Sequence, residues 1–385
     1  MEMTNTINRH HFTNFLNSGA LLRWGDSWHL FWGLSDKIPI GPESVKSNGI
    51  YSCDYVNKQF FHQNFENFAI LDKSEFGALL REYKTKLLSH KGHRFLLSPQ
   101  WEEIDKTPFS ESFCRIKKAI SEGKIQKAVP FNFQFGHVTT LSGNQGLTSE
   151  HKLQLLARLI EADKSLIPYA QWDENNGFMG VTPELFFSIE DQVLTTMALA
   201  ATSDKKVPRE VFLNDPKELK EHQLVIADIQ EKLKSFGTLA VGESYVFELP
   251  HLNHLRTDIQ VKLDAHIDFY KILQTLHPTS ALGIYPNNEY WKEFIQLPLQ
   301  NLRAGFGAPW GFHLNGSCFF VVGIRRLEWM GSSIRIPAGC GVVELSDLDK
   351  ECAEVERKIN SVKKMFFPQE EIIPAVTEKE ISVHE

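Results

Sequence analysis

The chain has 385 residues, 42% of them hydrophobic and 23% charged. That is an ordinary globular composition, in a chain longer than single cores usually reach, so two lobes or layers are expected. A formal net charge of −7 argues against a nucleic-acid binder built on a basic face, although a pocket can still be locally positive.

In chain order, no repeat or low-complexity linker appears. Residues 1–110 are aromatic-rich and irregular, with strands expected only at short apolar runs such as 68–71 and 95–97. Residues 110–123 read as an amphipathic helix with Phe113, Ile116 and Ile120 on one side. A strand is expected over 127–135 and a helix over 149–162. A hairpin is expected from 177–189 with 193–198. Asp215 suits an N-cap and Pro216 a first helical position. Leu219, Val225, Ile226, Ile229 and Leu233 then follow a helical period. Runs 319–325 and 333–337 read as paired strands around a turn at 329–331. Ser346 with Asp349 resembles a capping-box start, opening a helix to about Phe366. The acidic tail from Pro368 reads as a mobile extension. Strands and helices do not alternate regularly, which predicts an α+β fold.

The five cysteines, Cys53, Cys114, Cys318, Cys340 and Cys352, are odd in number and contain no CxxC pair. This argues against a disulfide framework or zinc knuckle and fits a reducing compartment. No N-terminal run suits a signal peptide, and none elsewhere suits a membrane span. A cytoplasmic location with no membrane or nucleic-acid partner is the expectation.

Several residues could carry chemistry. Glu218 and Glu221 are three apart, as are Glu351 and Glu354, so each pair shares a helix face. Two such helices facing each other could hold a hard cation such as Mg²⁺; on spacing alone, a solvated charged face accounts for the same pattern. Lys127 opens an apolar run, where burial would lower its pKa and make it a base, or it sits at a strand edge. Glu184, among apolar residues, is either an acid kept protonated or a turn glutamate. His277 precedes Pro278, in a loop or a site. Gly339 and Gly341 could let backbone N–H groups approach a carboxylate, or simply form a turn. Arg325 ends an apolar strand, where a guanidinium could grip a carboxylate. No GxGxxG, Walker, HExxH or GxSxG pattern is present.

These signals fall in the order of one family. Thr182-Pro183-Glu184-Leu185, Ala198-Leu199-Ala200-Ala201-Thr202 and Lys217-Glu218-Leu219-Lys220-Glu221-His222 resemble consecutive motifs of the chorismate-utilising enzymes. So do Leu276-His277-Pro278-Thr279-Ser280-Ala281-Leu282, residues 303–311, Val322-Gly323-Ile324-Arg325 and Ala338-Gly339-Cys340-Gly341-Val342-Val343. Ser346-Asp347 through Glu351, Glu354 and Lys358 complete the series, which covers about 110–366. The resemblance implies a large two-lobed α+β fold, with antiparallel sheets around a deep central site and helices outside. An N-terminal lobe (1–110), a catalytic core (111–366) and an acidic tail (367–385) would divide the chain.

The resemblance also implies roles. Glu221 and Glu354 would bind Mg²⁺, supported by Glu218 and Glu351. Arg325, Lys358, Thr202 and the backbone at Gly339 and Gly341 would hold the carboxylates of chorismate, with His277 and Ala281 also at the substrate. Glu184 would be the general acid. Lysine at position 127 resembles water-using isochorismate and salicylate synthases, whereas ammonia-using members usually have glutamine there. His277 with Ala281 further resembles isochorismate synthase, whose product feeds menaquinone or catechol siderophores in this family. The alternatives are an ammonia-using aminodeoxychorismate or anthranilate synthase with a glutaminase subunit, a salicylate synthase, and a non-catalytic chorismate binder. The sequence departs from the family pattern at Asn132, where arginine is expected, at Ala201, where glycine is expected, and at Pro130.

Overall fold

The strand Ser27–Ile40 shows how the layers are built. Trp28, Leu30 and Trp32 enter one apolar core while Phe31 enters another, because successive strand side chains point to opposite faces. A strand covered on both faces reads as a continuous apolar run without alternation. This two-sided burial corrects the irregular reading of residues 1–110. Helix Arg9–Asn17 is followed there by strands Gly19–Trp24, Ser27–Ile40, Gly49–Cys53 and Phe60–Leu71, then helix Lys73–Lys91. The expected strand at 68–71 is the end of Phe60–Leu71. The computed structural model describes residues 2–3, 7–44, 47–91, 97–138, 147–264 and 268–368. Residues 95 and 96 of an expected strand, and 369–385 of the expected tail, lie outside them, and Leu97 is in no strand.

Among the described residues, eighteen strands join in one hydrogen-bonded sheet system. Its described pairings are antiparallel apart from that of Glu2–Met3 with Phe60–Leu71. Early and late strands are interleaved. Gly19–Trp24 lies between Ser27–Ile40, with Leu21 opposite Leu30, and Ile167–Trp172, with Leu21 opposite Ala170. Gly49–Cys53 pairs with Pro309–Leu314, Tyr51 facing Gly311. Helices Pro216–Leu233 and Leu348–Phe366 pack on strands Val193–Asp204 and Ser333–Gly339 respectively. The fold is α+β.

Local signals explain most helix limits. The Asp215 side chain accepts the N–H groups of Lys217 and Glu218, and Pro216 follows. Leu224, Val225, Ile229 and Leu233 form the buried face. The expected helices at 110–123 and 149–162 are Thr107–Ser121 and Ser149–Leu159. The last helix is capped by Asp347, which accepts the Lys350 N–H at 3.1 Å, whereas Ser346 Oγ accepts the Val343 N–H at 3.0 Å. The expected Ser346 cap is therefore displaced by one residue.

The strands depart from expectation where they break. The run 127–135 is two strands, Lys127–Ala128 and Phe131–Val138, divided at Pro130, which has no N–H to donate. Pro183 likewise divides Asn176–Thr182 from Leu185–Glu190, and only the latter forms a hairpin with Val193–Asp204. The run 319–325 does not pair with 333–337. Ser317–Val322 pairs with Pro309–Leu314 and Leu185–Glu190. The chain then leaves the sheet at 323–325, with Arg325 at φ 55°, and Arg326–Met330 forms the hairpin with Ser333–Gly339.

Candidate active site

These breaks supply the site. The two-residue strand Lys127–Ala128 is held on one side by Ile284–Tyr285 and on the other by a bridge from Ala128 to Val342. Lys127 is fully buried, and its Nζ donates to the Ser280 carbonyl at 2.6 Å and lies 3.5 Å from Glu221 Oε1. Burial lowers its pKa, opposed chiefly by Glu221. Glu184 follows the Pro183 break, and burial pushes its carboxyl up to about 8, against the pull of Lys127 and Lys358.

Glu184, Thr202, Ala281, Arg325, Gly339, Gly341 and Lys358 line one pocket, together with His254, Leu282 and Phe306. Of the residues expected at substrate, His277 does not line it. As the C-cap of helix Phe269–Leu276, His277 turns its ring edge-on to Tyr55, 5.2 Å away, inside the aromatic core. The loop that follows delivers Ala281 and Leu282 instead. A larger groove of ≈ 1520 Å³, rimmed by Leu34, Phe135 and Met330, contains none of the expected residues, so size alone does not mark the site.

Below the pocket, the two acidic helices meet. Gly341 separates pocket and helices: a Cβ there would overlap Glu221 Oε1 and come within 2.7 Å of Lys127 Cε. Lys217 Nζ lies 3.0 Å from Glu218 Oε1, 3.4 Å from Glu221 Oε2 and 3.1 Å from Glu351 Oε1. Burial disfavours the Lys217 charge, yet Glu221, Glu354, Glu218 and Glu351 together hold its pKa above the ordinary lysine value. Lys358 Nζ lies 2.7 Å from Glu354 Oε1 and donates to the Gly339 carbonyl at 2.8 Å. Burial would raise the Glu354 pKa, but Lys358 and Lys217 hold it down at about 2.

This donor set is all carboxylate oxygen, which suits a hard divalent cation. Glu351 Oε2 is buried without a hydrogen-bond partner, an acceptor a cation would satisfy. Among the described residues, no three acidic, histidine or cysteine side chains already stand at metal-ligand spacing. The Lys217 ammonium stands among them as a positive surrogate. The residues therefore fit Mg²⁺ in chemistry and charge, and the carboxylates would have to draw together to hold it.

The sequence reading assigns no role to two further residues of the site. One is Lys217. The other is His254, opposite Thr202 in the pairing of Val193–Asp204 with Leu252–Leu263. Its Nδ1 lies 2.7 Å from the Ala201 carbonyl and its Nε2 3.1 Å from Arg325. Burial, reinforced by Arg325 and Lys358, pushes its pKa to about 3. The neutral ring thus donates from Nδ1 and accepts at Nε2, a tautomer assigned from its partners. Ala201 sits at a bulge with φ 63°, the left-handed region that glycine adopts without penalty, which gives a physical reason for a glycine at this position. Arg325 also donates to Ser361 Oγ at 2.8 Å. Asn132 is buried and donates to the Asp105 carbonyl at 2.7 Å, away from this pocket.

A family model described as "Chorismate binding enzyme" matches residues 58–366. The chain belongs to the chorismate-binding enzyme family. It is 32% identical over 206 residues to isochorismate synthase MenF of Haemophilus influenzae, covering 51% of this chain and 47% of that protein. It is 28% identical over 197 residues to anthranilate synthase component 1 of Methanothermobacter thermautotrophicus, covering 48% of this chain and 42% of that protein. The chain's match thus spans about half the length of such curated relatives. The solved structure of MenF, the menaquinone-specific isochorismate synthase from Escherichia coli, shares the fold, with a TM-score of 0.69 and 21% identity over 91% of this chain and 88% of that one. Within the chorismate-binding family fold, the pocket is walled by broken strands and by Lys358 of the second acidic helix, with Gly341 between it and Glu221.

Proposed function

We propose that this chorismate-binding family member is a Mg²⁺-dependent isochorismate synthase. One observation supports the reading: the buried Lys127, with a lowered pKa, and the buried Glu184, with a raised one, each act on the other's charge, Glu184 at the pocket wall and Lys127 behind it. Converting chorismate to isochorismate needs a base for the attacking water and an acid for the departing hydroxyl. Environments that push two titratable groups in opposite directions supply both.

Lys127, neutral in the complex, takes a proton from water as the water oxygen bonds to C2. The ring double bonds shift, the C4–O bond breaks, and Glu184 gives its proton to the leaving oxygen. One water is added and one released, so the product is an isomer, and Lys127 and Glu184 return to their starting forms by proton exchange. Arg325, Lys358, Thr202 and the backbone around Gly339 and Gly341 orient the two carboxylates. Glu221 and Glu354, with Glu218 and Glu351, would hold Mg²⁺, which supplies positive charge to a substrate carboxylate. At ≈ 60 Å³ the pocket is well below the roughly 300–1,000 Å³ of ordinary ligand sites, so substrate binding must part its walls.

The similarity to an anthranilate synthase supports a second reading, ammonia attack with nitrogen supplied by a glutaminase subunit. Lysine rather than glutamine at position 127 favours water. The test is incubation with chorismate and Mg²⁺, with and without ammonium, and product identification by mass spectrometry. Isochorismate independent of ammonium, and at least roughly 10²-fold less of it from Lys127→Gln, is expected. An aminated product overturns the water reading, and release of pyruvate identifies a salicylate synthase.

A further inference from the structure

Lys127 Nζ is placed by the groups it touches. It donates to the Ser280 carbonyl at 2.6 Å, and Glu221 Oε1 lies 3.5 Å away. The placement of the Ser280 carbonyl therefore sets the position of Lys127 Nζ.

Ser280 is held from below. Its N–H donates to Asp228 Oδ2 at 2.7 Å. The same oxygen lies 3.0 Å from Lys232 Nζ, one turn along the helix. Lys232 in turn donates to the Pro278 carbonyl at 2.6 Å and the Leu276 carbonyl at 3.3 Å. One buried ion pair thus grips three backbone groups between Leu276 and Ser280. Neither Asp228 nor Lys232 lines the pocket.

The far end of the loop has its own anchor. The Leu282 carbonyl accepts from Tyr55 OH at 2.6 Å and from Arg303 at 2.7 Å. Leu282 is a pocket wall, so the two anchors have different jobs. Asp228 and Glu221 are seven residues apart on one helix, two turns along one face. A single rigid element therefore places both partners of Lys127, Glu221 directly and Ser280 through Asp228.

We propose that the Asp228–Lys232 pair is a positioning device for Lys127, holding in place the Ser280 carbonyl on which Lys127 Nζ is seated. The inference rests on the reading of Lys127 as general base.

Two substitutions separate positioning from mere stability. Asp228→Asn and Asp228→Leu both remove the charge, but only asparagine keeps an acceptor for the Ser280 N–H. Because misplacing a catalytic group by about 1 Å can cost 10²-fold, kcat of Asp228→Leu should fall by about tenfold to 10²-fold with KM for chorismate unchanged. Asp228→Asn should keep most of its kcat. Equal losses in the two folded variants, or a loss confined to KM, overturn the proposal. If Asp228→Leu does not fold, Lys232→Met tests the other half of the clamp, and an unchanged kcat there overturns it. Lys127→Gln run alongside identifies which idea fails. Full turnover by that variant removes the base reading and the clamp with it. An inactive Lys127→Gln beside a folded, fully active Asp228→Leu removes the clamp alone.

Discussion

Lys217 Nζ lies 3.1 Å from Glu351 Oε1, so a lysine of one acidic helix bridges to a glutamate of the other. Both side chains are largely buried, and the same ammonium also touches Glu218 and Glu221. These carboxylates are bridged by a cation that belongs to the chain.

Lys217→Met should therefore destabilise the metal-free protein. Removing one partner of a buried ion pair typically costs ~3–5 kcal/mol, because the remaining charges lose their compensation. Mg²⁺ should restore more stability to the variant than it adds to the wild type, where it must compete with the ammonium. Thermal melts in chelator and with Mg²⁺ measure both effects. Equal metal-induced shifts would show that Lys217 does not compete for the site.

Glu184 makes a pH prediction with a definite sign. Its folded pKa, about 8, is raised above the ordinary glutamate value of 4.5. Between those values the folded state binds the extra proton, so stability is fully present below the lower value and declines as pH rises through the higher. The acid needed for turnover is lost over the same upper range. Glu184→Gln should abolish isochorismate formation and flatten the decline in stability between pH 5 and 8, read by denaturant unfolding across that range. A wild-type stability profile in the variant would place the titration elsewhere.

Arg325→Lys should fold but use chorismate poorly. Arg325 is presented at φ 55° and steadied by His254 and Ser361. An ammonium cannot reproduce the two parallel hydrogen bonds of a guanidinium on a carboxylate. Losing one charged hydrogen bond, worth about 1.5–3 kcal/mol, lowers kcat/KM by roughly 10- to 10²-fold. Steady-state kinetics on a variant with wild-type circular dichroism is the check, and an unchanged kcat/KM removes Arg325 as the carboxylate anchor.

Gly341→Ala introduces a methyl group into the contact between Glu221 and Lys127 Cε, where the glycine leaves no room. Overpacking of this kind costs about 1–3 kcal/mol. Activity should fall further than stability, because both displaced groups are in the site. A melting curve and an isochorismate assay on one preparation would show the difference, whereas a fully active Gly341→Ala would mean that the floor of the pocket yields freely.

Local signals in the sequence were legible and distant ones were not. The cap at Asp215, the proline after it and the apolar period give the Pro216–Leu233 helix residue by residue. The spacing of Glu218 with Glu221 and of Glu351 with Glu354 gives the shared faces, but their meeting depends on packing between helices far apart in the chain. Lys217 beside Glu218 reads as a surface pair until the second helix is in place. His254 sits in an alternating strand, and only the register that sets it opposite Thr202 brings it to Arg325. Trp28 to Trp32 lack alternation because both faces are buried. Pro130 and Pro183 break strands, but the apolar residues on either side conceal those breaks in the sequence. His277 misled for the opposite reason: its motif belongs to a site loop, while its own ring belongs to the core.

The interleaving of early and late strands sets an order for biosynthesis. Gly19–Trp24 cannot complete its pairing until Ile167–Trp172 has been made, and Gly49–Cys53 waits for Pro309–Leu314. Glu354 arrives only with the last described helix. Long-range pairing of this kind folds slowly, and partly made chains with unpaired apolar strands associate readily. A growing polypeptide of this protein carries Trp28, Phe31 and Trp32 uncovered through much of its translation, so soluble yield depends on how well the cell shields the first quarter of the chain while the rest is synthesised.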